Sequence, residues 1–490
     1  MSFVPKVMST QHPDNVTPPP FADADGVLKG DGEILEAMEV FSLGCDEQMW
    51  DSEGKEVDNQ VVKKMLTGYP DFFREHHLGV DSMLTLRVPN PSIELDMRKS
   101  MVEALESIPS ARDVAKEFYG GEAEAPIQEV ILPFTTSAEE LSFIEAYYRK
   151  FVVGKESEPL LNGRLVKDWV GEFYPKTVRV IPLIEDVEHM LTSDLIVEEY
   201  LKDKDLAYQR VFLARSDPAL NYGMVAAELM LKVGLFRLHK LEGRLGIPLY
   251  PIVGVGAVPF RGHLSPVNVD RVLREYPSTQ TFTIQSAFKY DYEQAVVKLG
   301  IQQLLNHQRQ EPTAINEERA RAIIEKCTKE YQAQVRRLAP VIASVAVQVP
   351  KRRERKLHVG LFGYGRTLEG SADVALPRAI GFCAALYSIG VPPELLGLTA
   401  LDGDDLAFVR EVYPSFDGDM REALRFTNER HVKELLGDEY LRLAGRFADG
   451  VDRIHEGLTS AVMAGIGQGG SDYHINHYVE EAAHLRRFLG

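Results

Sequence analysis

VRVIPLIED (Val178–Asp186), followed by SDLIVEEYLKDK (Ser193–Lys204) and RVFLARSD (Arg210–Asp217), is the stretch that decides the fold. Two short runs of Val, Ile, Leu and Phe end in charged residues and enclose a segment whose apolar positions fall three and four apart. The runs have the length and composition of strands, and the segment between them reads as an amphipathic helix. Near-continuous apolarity in both strands suits a parallel sheet covered on its two faces.

Outward from this unit the pattern recurs. Strand candidates begin at Val40 (VFSLGCDEQ), Met83 (MLTLRVPN), Glu129 (EVILPFTT), Leu249 (LYPIVGVG), Thr281 (TFTIQSAF) and Leu357 (LHVGLFGYG), making eight with the central pair. Helical segments lie between most of them, and Ser137 with Glu140 forms a capping box at the head of one. Eight strand–helix repeats predict a closed parallel α/β barrel of the TIM type. An open, doubly wound sheet is the alternative, because a strand count does not establish closure. The expected plan is an N-terminal arm over residues 1–31 and a barrel over 32–376 with a helical excursion near 310–350. A helical C-terminal extension over 377–490 packs on that barrel. The arm carries Pro5, Pro13, Pro18, Pro19 and Pro20, which fix torsions and remove amide donors, so it reads as extended or looping.

The chain has 490 residues and a formal net charge of -18, which disfavours nucleic acid and anionic membranes as partners. Its dense basic run, 351–356, reads as a solvated linker or helix face. Three dispersed cysteines make neither a metal knot nor a disulfide framework, and no apolar run approaches bilayer length; a cytoplasmic protein with reduced thiols is the expectation.

In a parallel barrel the strand carboxyl ends converge on one mouth. Sorted by that rule, the sequence offers Asp46 and Glu47, Arg87, Thr135 and Thr136, Glu185 and Asp186, Arg215 and Asp217, Arg261 and His263, Gln285 and Lys289, and Arg366. Glu185 and Asp217, from adjacent strands, are the first choice for hard-cation ligands, holding Mg²⁺ or Mn²⁺; capping the following helices is their structural alternative. Arg87, Arg215, Arg261, Arg366 and Arg378 suit a phosphate and a carboxylate through their planar donor forks, with structural ion pairs as the alternative. Histidine is the residue type that exchanges a proton near neutral pH, but on its own residue pattern His12 belongs to a tail. Glycines at Gly465, Gly467, Gly469 and Gly470 suggest a loop, and His474 with His477 lack further zinc ligands.

Taken together, MSTQHPDN, CDEQMWDSEGKEVD, TLRVPNP, EVILPFTT, PLIEDVEHML, FLARSDPALNYG, VGAVPFRGHLSP and TFTIQSAFKYDY resemble the archaeal-type phosphoenolpyruvate carboxylases over essentially the whole chain. The resemblance implies a metal-dependent barrel lyase, located in the cytoplasm and usually homotetrameric, that carboxylates phosphoenolpyruvate with bicarbonate to give oxaloacetate and phosphate. By the same resemblance His12, Arg261 and Arg378 are catalytic, and Arg87, Arg261, Arg366 and Arg378 bind substrate. Glu185 and Asp217 bind Mg²⁺ or Mn²⁺. A lysine of the larger relatives falls at Leu220, so its role either passes to another cation, with Lys289 the candidate, or is missing here. The rival classes are a bicarbonate-independent aldolase or lyase and a non-catalytic metabolite sensor.

Overall fold

The computed structural model describes residues 3–53, 55, 57–353, 367–368, 371–447, 449–467 and 472–490. Eight parallel strands close into one barrel in chain order: β1 (Val7–Ser9), β2 (Glu47–Asp51), β3 (Met83–Arg87), β4 (Ile127–Leu132), β5 (Arg179–Ile184), β6 (Gln209–Ala214), β7 (Leu249–Gly254) and β8 (Thr281–Ile284). The ring shuts where Val7, Met8 and Ser9 lie opposite Phe282, Thr283 and Ile284. Closure excludes the open-sheet alternative.

Two strand readings change. The run from Val40 is the end of the helix Asp31–Leu43, which buries Val40, Phe41 and Leu43 and stops at Gly44 in the left-handed region (φ 104°). The strand follows, at Glu47. The first barrel strand lies instead inside the proline-rich arm, where the Asp46 carboxylate accepts the amides of Lys6 (2.9 Å) and Val7 (2.8 Å) and Lys6 O accepts Phe282 N (2.8 Å). The candidate from Leu357 to Gly365 lies outside the described residues, and the barrel closes without it.

Strand pleating sorts side chains into two cores. Met8, Met49, Ile131, Ile181, Leu183, Phe212, Ala214 and Ile252 point inward and fill the barrel. Their sequence neighbours, such as Trp50, Val130, Val180, Val211, Leu213 and Val253, point outward into the larger core beneath the helices. At Gly254 a Cβ would sit 2.9 Å from the Phe212 ring, so the missing side chain makes room for that ring.

The excursion near 310–350 is one helix, Glu317–Ala346, packed on the helices Met224–Leu245 and Ala379–Ser388. A short antiparallel ladder pairs Thr367–Leu368 with Ser371–Ala375, and from Ala379 the described elements are all helical. Ser137 caps its helix with Glu140 as the sequence predicts. Among the described residues no single helix is long and apolar enough to cross a membrane.

Candidate active site

Continuing each strand's inward alternation by one step past the apolar layer places Asp51 after Met49, Arg87 after Thr85, Glu185 after Leu183 and Gln285 after Thr283 at the carboxyl-end mouth. Glu185 is buried, and its Oε2 accepts the amide of Phe134 at 2.8 Å. That amide is presented by a left-handed residue, Phe134 at φ 51°. Asp217 is half-buried on the first turn of the helix Ser216–Tyr222 after β6. Burial pushes the Glu185 carboxyl well above its ordinary range, and the neighbouring charges of Asp217 and Glu53 push it further. Asp217 is raised by burial too, against the pull of Arg378. Glu53 therefore raises both acids, and both are drawn back by Arg87.

This donor set fits a hard divalent ion. Among the described residues no group of three or more His, Cys, Asp or Glu side chains converges as a ligand cage. One buried and one half-buried carboxylate, both raised by their surroundings, are hard oxygen donors of the kind that would hold Mg²⁺ with one or two protein ligands.

The arginines differ in what they have left to offer. Arg87 gives Nε and one terminal nitrogen to Asp51 (2.8 and 2.7 Å) and the same terminal nitrogen to Glu53 (2.7 Å), which leaves its other amino group. Arg261, 1% exposed, donates to Ser216 Oγ (3.1 Å), to the Gly490 carbonyl (2.6 Å) and to Gln285 Oε1, and lies 3.5 Å from Asp14. Its guanidinium stacks over Gly256, where a Cβ would come within 2.8 Å. Most of its donors are thus committed inside the protein. Arg378, half-buried at the head of the helix Ala379–Ser388, is the first attractive influence on Asp217. Arg366 lies outside the described residues.

His12 is held in the turn after β1 and is not part of a loose tail. Its Nδ1 lies 2.8 Å from Thr10 Oγ1, and its carbonyl accepts the amides of Asp14 and Ser286, each at 3.1 Å. Gln11 beside it accepts the amide of Asp51 (3.2 Å) and Lys55 Nζ (3.1 Å), which knits the arm to the loop after β2.

Several residues expected at the mouth lie elsewhere. Glu47 begins its strand, so it faces the opposite end of the barrel. There Arg210 bridges Glu47 (2.7 Å) and Glu129 (2.7 Å) in a buried ionic plug. Arg215 follows the inward Ala214 and points outward, bonding Glu228 (3.0 Å) and the Phe260 carbonyl (3.1 Å). His263, left-handed at φ 59°, joins Asp419 (2.6 Å) and Glu422 (3.0 Å) from the C-terminal helices. Asp186 caps a helix by accepting the amide of His189 (3.0 Å). Lys289 is tied to Glu36 (3.0 Å), Ser9 and Thr10, while Leu220 is buried in the core. Gly465 and Gly467 end the helix Arg453–Gly467, and residues 468–471 lie outside the description. The basic run is no solvated face at Arg352 and Arg353, both buried; Arg352 holds Val16 O (2.7 Å) and Glu480 (2.8 Å), and Arg353 holds Glu33 and Glu36. Residues that sequence reasoning missed are Asp51 and Glu53, which orient Arg87, and Asp14. The DSE string at the end of β2 was the available signal for the first two.

The chain matches the family model for phosphoenolpyruvate carboxylase over residues 4–490. It is 49% identical to a phosphoenolpyruvate carboxylase of Methanothermobacter thermautotrophicus, covering 99% of this chain and all of that protein. It is 46% identical to one of Pyrococcus abyssi over the full length of both. Among solved structures, an HpcH/Hpal aldolase/citrate lyase family protein of Burkholderia cenocepacia overlaps 61% of this chain and 93% of that one at 13% identity, with a TM-score of 0.34, too slight a likeness to bear on function. On the full-length family match and the near-complete, nearly half-identical relatives, this chain belongs to the phosphoenolpyruvate carboxylase family.

Proposed function

We propose that this chain carboxylates phosphoenolpyruvate with bicarbonate, giving oxaloacetate and phosphate, at the mouth formed by Glu185, Asp217, Arg87, Arg378, Arg261 and His12. What supports the site is that Glu185 and Asp217, both pushed up by burial, share the field of Arg87, with Arg378 acting on Asp217, over the closed barrel. Glu185 and Asp217 are the residues to hold Mg²⁺ or Mn²⁺. A divalent ion bound there supplies charge neutralisation for the phosphate and for the enolate oxygen that develops.

The remaining work falls to the side chains. The uncommitted amino group of Arg87 and the guanidinium of Arg378 bind phosphate and carboxylate oxygens, and planar forks suit both. Arg261, anchored by Ser216 and Gln285, supplies fixed positive charge more than flexible contacts. A bicarbonate oxygen attacks phosphorus and the bond to the enol oxygen breaks, leaving carboxyphosphate and the pyruvate enolate. With Nδ1 held by Thr10 Oγ1 (2.8 Å), His12 would act through Nε2. His12 takes the carboxyphosphate proton; phosphate leaves, and the freed carbon dioxide bonds to the enolate methylene carbon. Water must be kept out, because a proton at that carbon yields pyruvate. The homotetramer implied by the family resemblance belongs to this reading and is tested by sedimentation.

Oxaloacetate formation, coupled to malate dehydrogenase and run with and without bicarbonate and Mg²⁺, should require both. Phosphate release at full rate without bicarbonate would favour a different lyase. His12→Asn should retain substrate binding and lower oxaloacetate formation by about 10²-fold or more; wild-type carboxylation in that variant would remove His12 from its role.

A further inference from the structure

Asp14 is fully buried two residues beyond His12, yet it is no part of the chemistry set out above. One carboxylate oxygen accepts the amide of Ala287 (2.7 Å), in the helix that follows β8. The other accepts the amide of Ala257 (3.2 Å), in the loop that follows β7, and lies 3.5 Å from Arg261. Its own carbonyl accepts the amide of Leu489 (2.7 Å), and its own amide donates to the His12 carbonyl (3.1 Å). A single side chain of the arm thus touches the loop after β7, the helix after β8 and the most committed arginine of the mouth. Burial pushes its carboxyl up and the Arg261 charge pulls it back. An apolar residue of the same size would leave two buried amides without acceptors and Arg261 without this countercharge. Between Asp14 and His12 stands Pro13, whose ring fixes φ, so little slack separates the anchored carboxylate from the imidazole.

We propose that Asp14 is a positioning residue for carboxylation: its buried carboxylate locks the His12 turn to Arg261, to the loop after β7 and to the helix after β8, and so sets how closely His12 stands over the reacting carbon. The proposal rests on the reading of His12 as the base that opens carboxyphosphate. With the turn loosened, carboxyphosphate is hydrolysed by water to bicarbonate and phosphate, and the enolate takes its proton from water to become pyruvate. Phosphate is released on either route; the carbon product tells them apart.

The test is the amount of oxaloacetate and of pyruvate formed per phosphate in wild type, Asp14→Asn, His12→Asn and the double variant, each first shown to melt as a folded protein. In Asp14→Asn the KM for phosphoenolpyruvate should stay within about threefold, since Arg87, Arg378, Glu185 and Asp217 are untouched, while oxaloacetate per phosphate falls about tenfold or more in favour of pyruvate. Because Asp14 acts through His12, adding Asp14→Asn to the His12→Asn background should move the ratio by less than about threefold. Should Asp14→Asn not fold, Asp14→Ser, with room for a water between the same amides, carries the identical comparison. A ratio within about twofold of wild type in the folded single variant, loss of both products together, or full additivity in the double variant overturns the proposal. If His12→Asn itself keeps the wild-type ratio, the reading of His12 falls and the proposal with it; if only the Asp14 variant keeps it, the proposal falls alone.

Discussion

Glu185 carries the strongest electrostatic tension at the mouth. It is a buried acid beside two other acids, relieved by the charge of Arg87 and one backbone amide. Removing its charge should therefore help the metal-free protein: Glu185→Gln is expected to raise the thermal midpoint by the equivalent of about 1 kcal/mol without divalent cation, and to lose the further rise that Mn²⁺ gives the wild type. Differential scanning fluorimetry with and without Mn²⁺ checks both, and a variant that gains as much from Mn²⁺ as the wild type would count against Glu185 as a ligand. Asp217→Asn should lose the Mn²⁺ rise in the same way, with a smaller metal-free gain because Arg378 already offsets its charge. Both acids were legible in the sequence because each follows a strand-length apolar run. The side to which a strand-end residue points was not. Both faces of a barrel strand are apolar, so Val211 and Leu213 look no different from Phe212 and Ala214, and nothing fixed the phase that sends Arg215 outward. The commitment of Arg261 to Ser216, Gln285 and Gly490 joins residues far apart in the chain and has no local signature.

At the level of elements, the arm is a barrel strand. Three residues between prolines are too few to show a period, so β1 was hidden, while the apolar end of the helix Asp31–Leu43 imitated a strand until Gly44 broke it. The count of eight survived because the missed β1 takes the place of the Leu357 candidate, while the strand read too early in the chain is β2, displaced to Glu47. Buried ion pairs fasten these pieces. Arg353 reaches Glu33 and Glu36 on the helix Asp31–Leu43, and Lys55 and Lys289 meet the same two acids (2.6 and 3.0 Å). Burial works against the Glu36 charge, but Arg353 and Lys289 outweigh it and draw its carboxyl down to about 2. Arg353→Ala leaves two buried acids short of a partner and should destabilise the fold by about 3–5 kcal/mol in urea denaturation. A change below about 0.5 kcal/mol would return the basic run to the solvated role that its sequence suggests.

Across the whole molecule, the C-terminal helices are bound to the barrel through His263. Burial disfavours its charge, yet Asp419 and Glu422 prevail and hold it up at about 9. A histidine whose folded value lies above its free value of 6.5 adds stability that is complete below about pH 6.5 and is lost as pH rises through about 9. About 3 kcal/mol should disappear across that window. Asp419→Asn should flatten this alkaline decline, which urea melts between pH 6 and 10 would record; an identical slope in the variant would place the pH dependence elsewhere. On the proposed reading, the acids that follow β5 and β6 would hold a divalent ion at the mouth, with arginines around the substrate. The most direct measurement is the anomalous difference density of Mn²⁺ in crystals grown with phosphoenolpyruvate. It should show one peak coordinated by both Glu185 and Asp217, with substrate phosphate oxygens beside Arg87 and Arg378. A fully occupied Mn²⁺ that touches the substrate but neither of those carboxylates would contradict the account.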